Sequence, residues 1–181
     1  MRIKHLLFGI VLAGVVASPA TSQTFKLHST DISEGQQLST THVFQGFGCE
    51  GDNLSPALSW SDAPEGTKSF ALTVYDPDAP TGSGWWHWNV VNLPTAVSSL
   101  PKGTTIDSLP EGAMALRNDY GAAGFGGACP PPGEVHRYQF TIYALGVAQL
   151  ELPENPSNAL AGFMIRANAL DSAKITAVYT R

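Results

Sequence analysis

Four side chains in this sequence are of the types that hold or protonate small anions: Asp76, His87, His136 and Tyr138. Asp76 follows Phe70, Leu72 and Val74 at a spacing of two, so it should leave its strand on the core-facing side. A carboxylate there needs a partner, because burying it alone is costly. The plainer role, a turn aspartate holding its own backbone, suits Asp78 better. His87 lies within Trp85-Trp86-His87-Trp88, which holds three of the four tryptophans; an ordinary core histidine is the competing assignment. His136 and Tyr138 sit two apart and point the same way on a strand. They follow a loop with glycines at 121, 124, 126 and 127, whose backbone N–H groups can approach a ligand closely and form an anion nest. Pro130, Pro131 and Pro132 stiffen its wall. Taken alone, that loop also fits an irregular connection closed by a disulfide.

Together, one carboxylate, two imidazoles, a phenol and a Gly-rich loop describe a small anion site. A carboxylate beside an imidazole favours the protonated ring, and charge-assisted hydrogen bonds contribute roughly 1.5–3 kcal/mol each. This is binding chemistry. Covalent catalysis would need a nucleophile, and Ser83 lies in Gly82-Ser83-Gly84, outside the G-x-S-x-G pattern. H-E-x-x-H is absent, and two histidines with one aspartate make a weak metal site. The residues imply no cofactor and no metal.

The elements that must position these groups read as strands. Ser69–Tyr75, Trp86–Leu93 and Arg137–Leu145 are β-branched and aromatic runs that suit a pleated surface, with shorter candidates at Phe25–His28 and Lys174–Thr180. Pro156–Asp171 is the one helical stretch, with Ser157 or Asn158 as its cap and Leu160, Phe163, Met164 and Ala167 on one stripe. The expected fold is mainly β, an antiparallel sandwich with a peripheral C-terminal helix before the last strand. Two long loops, Asp76–Trp85 and Gly121–Val135, flank the strongest strands, where function tends to sit.

The chain has 181 residues, 43% of them hydrophobic, which fits one folded domain. Arg2 and Lys4, an apolar run from Leu6 to Val16, and the small residues Ala17, Ala20 and Ser22 have the layout of a secretory signal. Residues 1–22 are therefore expected to be removed, with cleavage near Ala20 or Ser22, leaving a single domain over 23–181. About 11 apolar residues fall short of the roughly 20 that a spanning helix needs, so no stable membrane insertion is expected. Losing Arg2 and Lys4 moves the net charge from −5 to about −7, a balance that disfavours nucleic acid and anionic lipid surfaces. Cys49 and Cys129, 80 residues apart in the exported part, read as one disulfide in an oxidising compartment, periplasmic or extracellular. Closing so long a loop stabilises by about 3–4 kcal/mol.

Several stretches, in order, resemble the phosphatidylethanolamine-binding protein family, and most closely its bacterial, Raf-kinase-inhibitor-like members. They are Asn53-Leu54-Ser55-Pro56, Leu58-Ser59-Trp60, Asp76-Pro77-Asp78-Ala79-Pro80, Gly84-Trp85-Trp86-His87-Trp88, Pro130-Pro131-Pro132-Gly133 and His136-Arg137-Tyr138. The resemblance spans about residues 24–181. It implies a β-sandwich with a pocket at one end for phosphate, acetate or a phosphoryl head group. Carried over by position, Asp76, His87, Pro131, His136 and Tyr138 line it, with Trp85 or Trp86 as an aromatic wall. The leading expectation is a non-enzymatic module that binds a small anionic or phosphoryl ligand, with Asp76 orienting and charging His87. An inhibitor or interaction protein for an exported protease or signalling partner is the alternative, and a hydrolase comes third.

Overall fold

A computed structural model describes residues 24–181; the export signal expected over 1–22 lies outside them. The aromatic and β-branched runs form the long strands β5 (Ser69–Asp76), β6 (Trp85–Pro94) and β9 (Val135–Leu145). Shorter ones are β1 (Lys26–His28), β2 (Gln45–Gly46), β3 (Cys49–Glu50), β4 (Leu58–Ser61), β7 (Ser99–Leu100) and β8 (Met114–Ala115). The helix α1 (Asn158–Asn168) precedes the last strand, β10 (Ala169–Thr180). The main sheet runs β10-β9-β5-β6-β8, the second runs β1-β4-β7, and β2 and β3 make a separate hairpin. All strand pairs within these sheets are antiparallel.

The β5 alternation sorts its side chains between two cores. Phe70, Leu72 and Val74 enter the core between the sheets with Leu27, Trp60, Trp88, Phe140 and Ile142. Ala71 faces the other way, into a smaller cluster with Val91, Leu145, Ala161 and Ile165. That second face is where α1 packs, so β5 is covered on both sides and Asp76 ends a row of core residues.

The helix sits where expected, and the Ser157 side chain accepts the Leu160 N–H as its N-cap. Its buried face differs from the expected stripe. Ala161, Gly162 and Ile165 face the sheet, while Leu160 and Phe163 are 38% and 67% exposed. The helix lies too close to the sheet for large side chains: a Cβ on Gly162 would come within 3.1 Å of the Trp86 ring. Small residues rather than large apolar ones therefore mark its contact face.

Candidate functional site

Asp76 is the end of β5 and the start of the loop that follows. Its Oδ1 accepts the backbone N–H of Asp78 at 2.8 Å and of Ala79 at 3.2 Å, fixing the turn. Its Oδ2 accepts from His136 Nδ1 at 2.7 Å, with both side chains buried. Asp76 thus does the turn work that the sequence assigned more readily to Asp78. Asp78 instead reaches β9, where its carboxylate takes Nε and Nη2 of Arg137 at 2.9 and 2.7 Å. The guanidinium beside Asp78 holds that carboxyl below its ordinary range, against the opposing effect of partial burial.

His136 is gripped from both sides, because Glu134 Oε2 accepts from its Nε2 at 3.0 Å. Both ring nitrogens then act as donors, which is the imidazolium pattern. Burial works against the charge, but the hydrogen bonds to Glu134 and Asp76 outweigh it and raise the His136 pKa above its ordinary 6.5. The expected pairing of Asp76 with His87 is corrected accordingly: the carboxylate charges His136.

His87 reaches the site through a strand irregularity. Val74 pairs with Trp88 and Tyr75 with Trp86, leaving His87 as the extra residue of a β-bulge. A bulge re-aims a side chain off the strand's alternation. Gly126 then holds His87 twice: its N–H donates to the His87 carbonyl at 2.8 Å, and its carbonyl lies 2.7 Å from His87 Nδ1. Since a carbonyl can only accept, Nδ1 carries the proton and a neutral ring leaves Nε2 as a bare acceptor. Burial dominates here and pushes the His87 pKa down, over the weaker upward pulls of the Gly126 carbonyl, Asp76, the Gly127 backbone and Asp119.

These groups line a cavity of about 280 Å³, closed by Phe47, Pro80, Trp85, Tyr120, Pro131 and Arg181 among others. Asp76, Trp85, His87, Pro131, His136 and Tyr138 are therefore brought together, as is Cys129 of the disulfide. Trp86 is not among them. It pairs with Tyr75 on the face opposite Asp76, with ring centroids 4.7 Å apart, and meets Gly162 of α1. Trp85 is the aromatic wall.

The glycine-rich loop plays a different part from the nest expected of it. The N–H groups of Gly121 and Gly126 donate to the carbonyls of Asn118 and His87, and that of Gly127 donates to Asn53 Oδ1. Gly126 and Gly127 serve close packing instead, while Gly121 and Gly124 take positive φ. A Cβ on Gly127 would sit 2.5 Å from the His42 carbonyl oxygen, and one on Gly126 would strike the Tyr120 ring.

Three lining residues lay outside the sequence reading. Tyr120 stacks on Phe44 at 3.8 Å and its hydroxyl donates to the Gly127 carbonyl at 2.9 Å. Arg181 donates from Nε to the Pro130 carbonyl and from Nη1 to that of Gly48, at 2.7 and 2.9 Å. Phe47 sits in the β2–β3 turn at φ 51. Only their proximity in the fold joins them to the site, and no local motif marks them.

Three polar atoms decide what the cavity can do. The Trp85 indole N–H, His87 Nε2 and the Tyr138 hydroxyl are buried with no hydrogen-bond partner among the described residues. Buried polar atoms are nearly always paired, so such a cluster in one cavity points to a ligand. Burial pushes the Tyr138 and Tyr120 phenols up, aided by Asp76, with the Cys129 amide pulling Tyr138 slightly the other way. Both phenols therefore stay protonated as donors. Among the described residues no group of three or more His, Cys, Asp or Glu is placed to hold a metal ion, and no helix is long and apolar enough to cross a membrane.

Comparison with known proteins identifies the family to which this fold belongs. The family model described as phosphatidylethanolamine-binding protein matches residues 28–180. UPF0098 protein YbcL of Escherichia coli is 54% identical over 183 residues, covering 97% of this chain and 98% of its own. The crystal structure of YbcL, described as a new member of the mammalian PEBP family, superposes with a TM-score of 0.84 at 56% identity, over 88% of this chain and 99% of that one. UPF0098 protein YbhB of the same organism is 50% identical over 86% of this chain and 99% of its own. A Mycobacterium tuberculosis protein named as a lipoprotein, LppC, is 37% identical over 74% of this chain and 63% of its own.

Proposed function

The chain belongs to the phosphatidylethanolamine-binding protein family, and from that premise we propose that it is a binding protein that holds a small oxyanion, of phosphoryl type, in the Asp76–His136 cavity without transforming it. The observation that carries this reading is that Tyr138, Trp85 and His87, each with a buried polar atom lacking a hydrogen-bond partner, line one cavity beside a charged His136. Tyr138 and Trp85 donate to the anion, and His136 supplies positive charge. Thr81 is the one aliphatic hydroxyl of the lining, and it donates to the Gly84 carbonyl, which supports binding over covalent chemistry. The Cys49–Cys129 disulfide, the layout of residues 1–22 and a relative named as a lipoprotein support an exported protein in an oxidising compartment.

The Tyr138→Phe variant tests the reading. Removing this buried hydroxyl should change thermal stability little, since only the weak contact with the Cys129 amide is lost. The same change should weaken phosphate or phosphoethanolamine binding by about tenfold or more, because a charge-assisted bond contributes roughly 1.5–3 kcal/mol. Calorimetric titration and thermal melts of the two proteins read both effects. Unchanged phosphate affinity in the variant would sink the proposed role of Tyr138.

Glu134 pulls the other way. Its carboxylate is half-exposed and already occupies His136 Nε2, so an entering anion must compete with it. The Glu134→Gln variant is expected to bind phosphate about 2–5-fold more tightly near neutral pH, the scale of a partly exposed ion pair. Weaker binding in that variant would show instead that Glu134 helps to hold the ligand.

A further inference from the structure

The three unpartnered atoms do not all ask for the same thing. The Tyr138 hydroxyl and the Trp85 indole offer protons, whereas His87 Nε2, its proton fixed on Nδ1 by the Gly126 carbonyl at 2.7 Å, offers a lone pair. A fully deprotonated oxyanion satisfies the two donors and sets an oxygen lone pair against that of His87. An oxyanion carrying one O–H satisfies all three. Resting on the anion-site reading, we infer that the cavity selects a singly charged oxyanion that keeps an O–H, dihydrogen phosphate or a phosphomonoester in its monohydrogen form, and discriminates against phosphodiesters and sulfate. The hydroxyl of the ligand donates to His87 Nε2, while its bare oxygens accept from Tyr138 and Trp85.

The surroundings favour the same form. The rings of Tyr120 and Tyr138 lie edge-on to His87, with centroids 5.6 and 5.1 Å away. The carboxylates of Asp76 and Asp119 also act on it, and His136 and Arg181 share the cavity wall, with Glu134 at His136. Asp76 and Glu134 repel a dianion more strongly than a monoanion. Protonating His87 in place of the ligand is disfavoured, since its burial opposes a second ring proton. A diester differs from a monohydrogen monoester in lacking the P–O–H, so the proposal separates free phosphate and phosphoethanolamine from an intact phospholipid head group. A site that hydrogen-bonds a substrate hydroxyl rejects analogues without it strongly.

The test uses the unmodified protein at about pH 6, where a phosphomonoester is roughly half in its monohydrogen form. Phosphate, phosphoethanolamine, glycerophosphoethanolamine and sulfate are each titrated calorimetrically. The proposal expects phosphate and phosphoethanolamine to bind at least about fivefold more tightly than both the diester and sulfate. If either the diester or sulfate comes within that factor of phosphate, selection for a protonated oxyanion is overturned while the anion site stands. Failure of all four to bind overturns the anion site itself, and this inference with it.

Discussion

Replacing Asp76 with alanine is expected to abolish phosphate binding and to cost about 3–5 kcal/mol of stability, the scale seen when one partner of a buried ion pair is removed. The variant would leave His136 charged and buried with Glu134 as its only partner, and would free the Asp78 and Ala79 amides that Oδ1 holds. The pH profile identifies the cause. The His136 pKa is raised in the folded protein, so its contribution is fully present below the ordinary value of 6.5 and is lost as pH rises through the elevated one. His87 acts in the opposite sense: its pKa is lowered, so it costs stability as pH falls below 6.5, and losing the upward pull of Asp76 deepens that cost in the variant, again on the acid side. The stability gap between wild type and Asp76→Ala should therefore narrow on the alkaline side. Denaturant unfolding at a series of pH values measures it, and a gap that widens there would place the main role of Asp76 in the turn rather than in the ion pair. Asp76→Asn keeps an acceptor for the two amides but presents an N–H to His136; it should lose binding at a smaller stability cost, about 1–3 kcal/mol.

The second large effect lies at the disulfide. Cys49 and Cys129 close a loop of 80 residues, and replacing both with serine should cost about 4 kcal/mol by loop-closure entropy. The bridge also ties the hairpin bearing Phe47 to the segment running through Cys129 into Pro131, and both border the cavity. Phosphate affinity should consequently fall by about threefold to tenfold in the folded double variant, through ordering lost at the rim. Thermal melts and titrations at a temperature where the variant remains folded separate the two losses. An affinity equal to wild type would mean that Arg181, bonded to the Pro130 and Gly48 carbonyls, holds the rim unaided.

The long strands were legible because period-two alternation and β-branched composition persist over eight or more residues, as in Ser69–Asp76. The same alternation placed Asp76, His136 and Tyr138 correctly. His87, which the family resemblance rather than alternation assigned to the pocket, does line the cavity, from a bulge that shifts the register; what sequence could not show is that Asp76 pairs with His136 instead. Two-residue strands such as Ser99–Leu100 carry no period to read. On α1, apolar spacing pointed to Leu160 and Phe163, but the clearance beneath Trp86 admits only small residues. In the glycine-rich loop, the sequence showed that amides could face a ligand, but not that Asn53, Asn118 and His87 had already taken them. Tyr120 and Arg181 come from distant parts of the chain, and tertiary structure alone brings them to the cavity.

The central claim is that His87 and His136 share one oxyanion site, and imidazole nitrogen–proton NMR during a phosphate titration tests it most directly. The free protein should show His136 with both ring nitrogens protonated and His87 protonated at Nδ1 alone, consistent with their hydrogen bonds. Added phosphate should then shift the signals of both rings along one saturable curve, with Nε2 of each moving most. If neither ring responds at phosphate concentrations in the tens of millimolar range, a weak-binding limit of only about 2–3 kcal/mol, the histidines are structural and the account is contradicted.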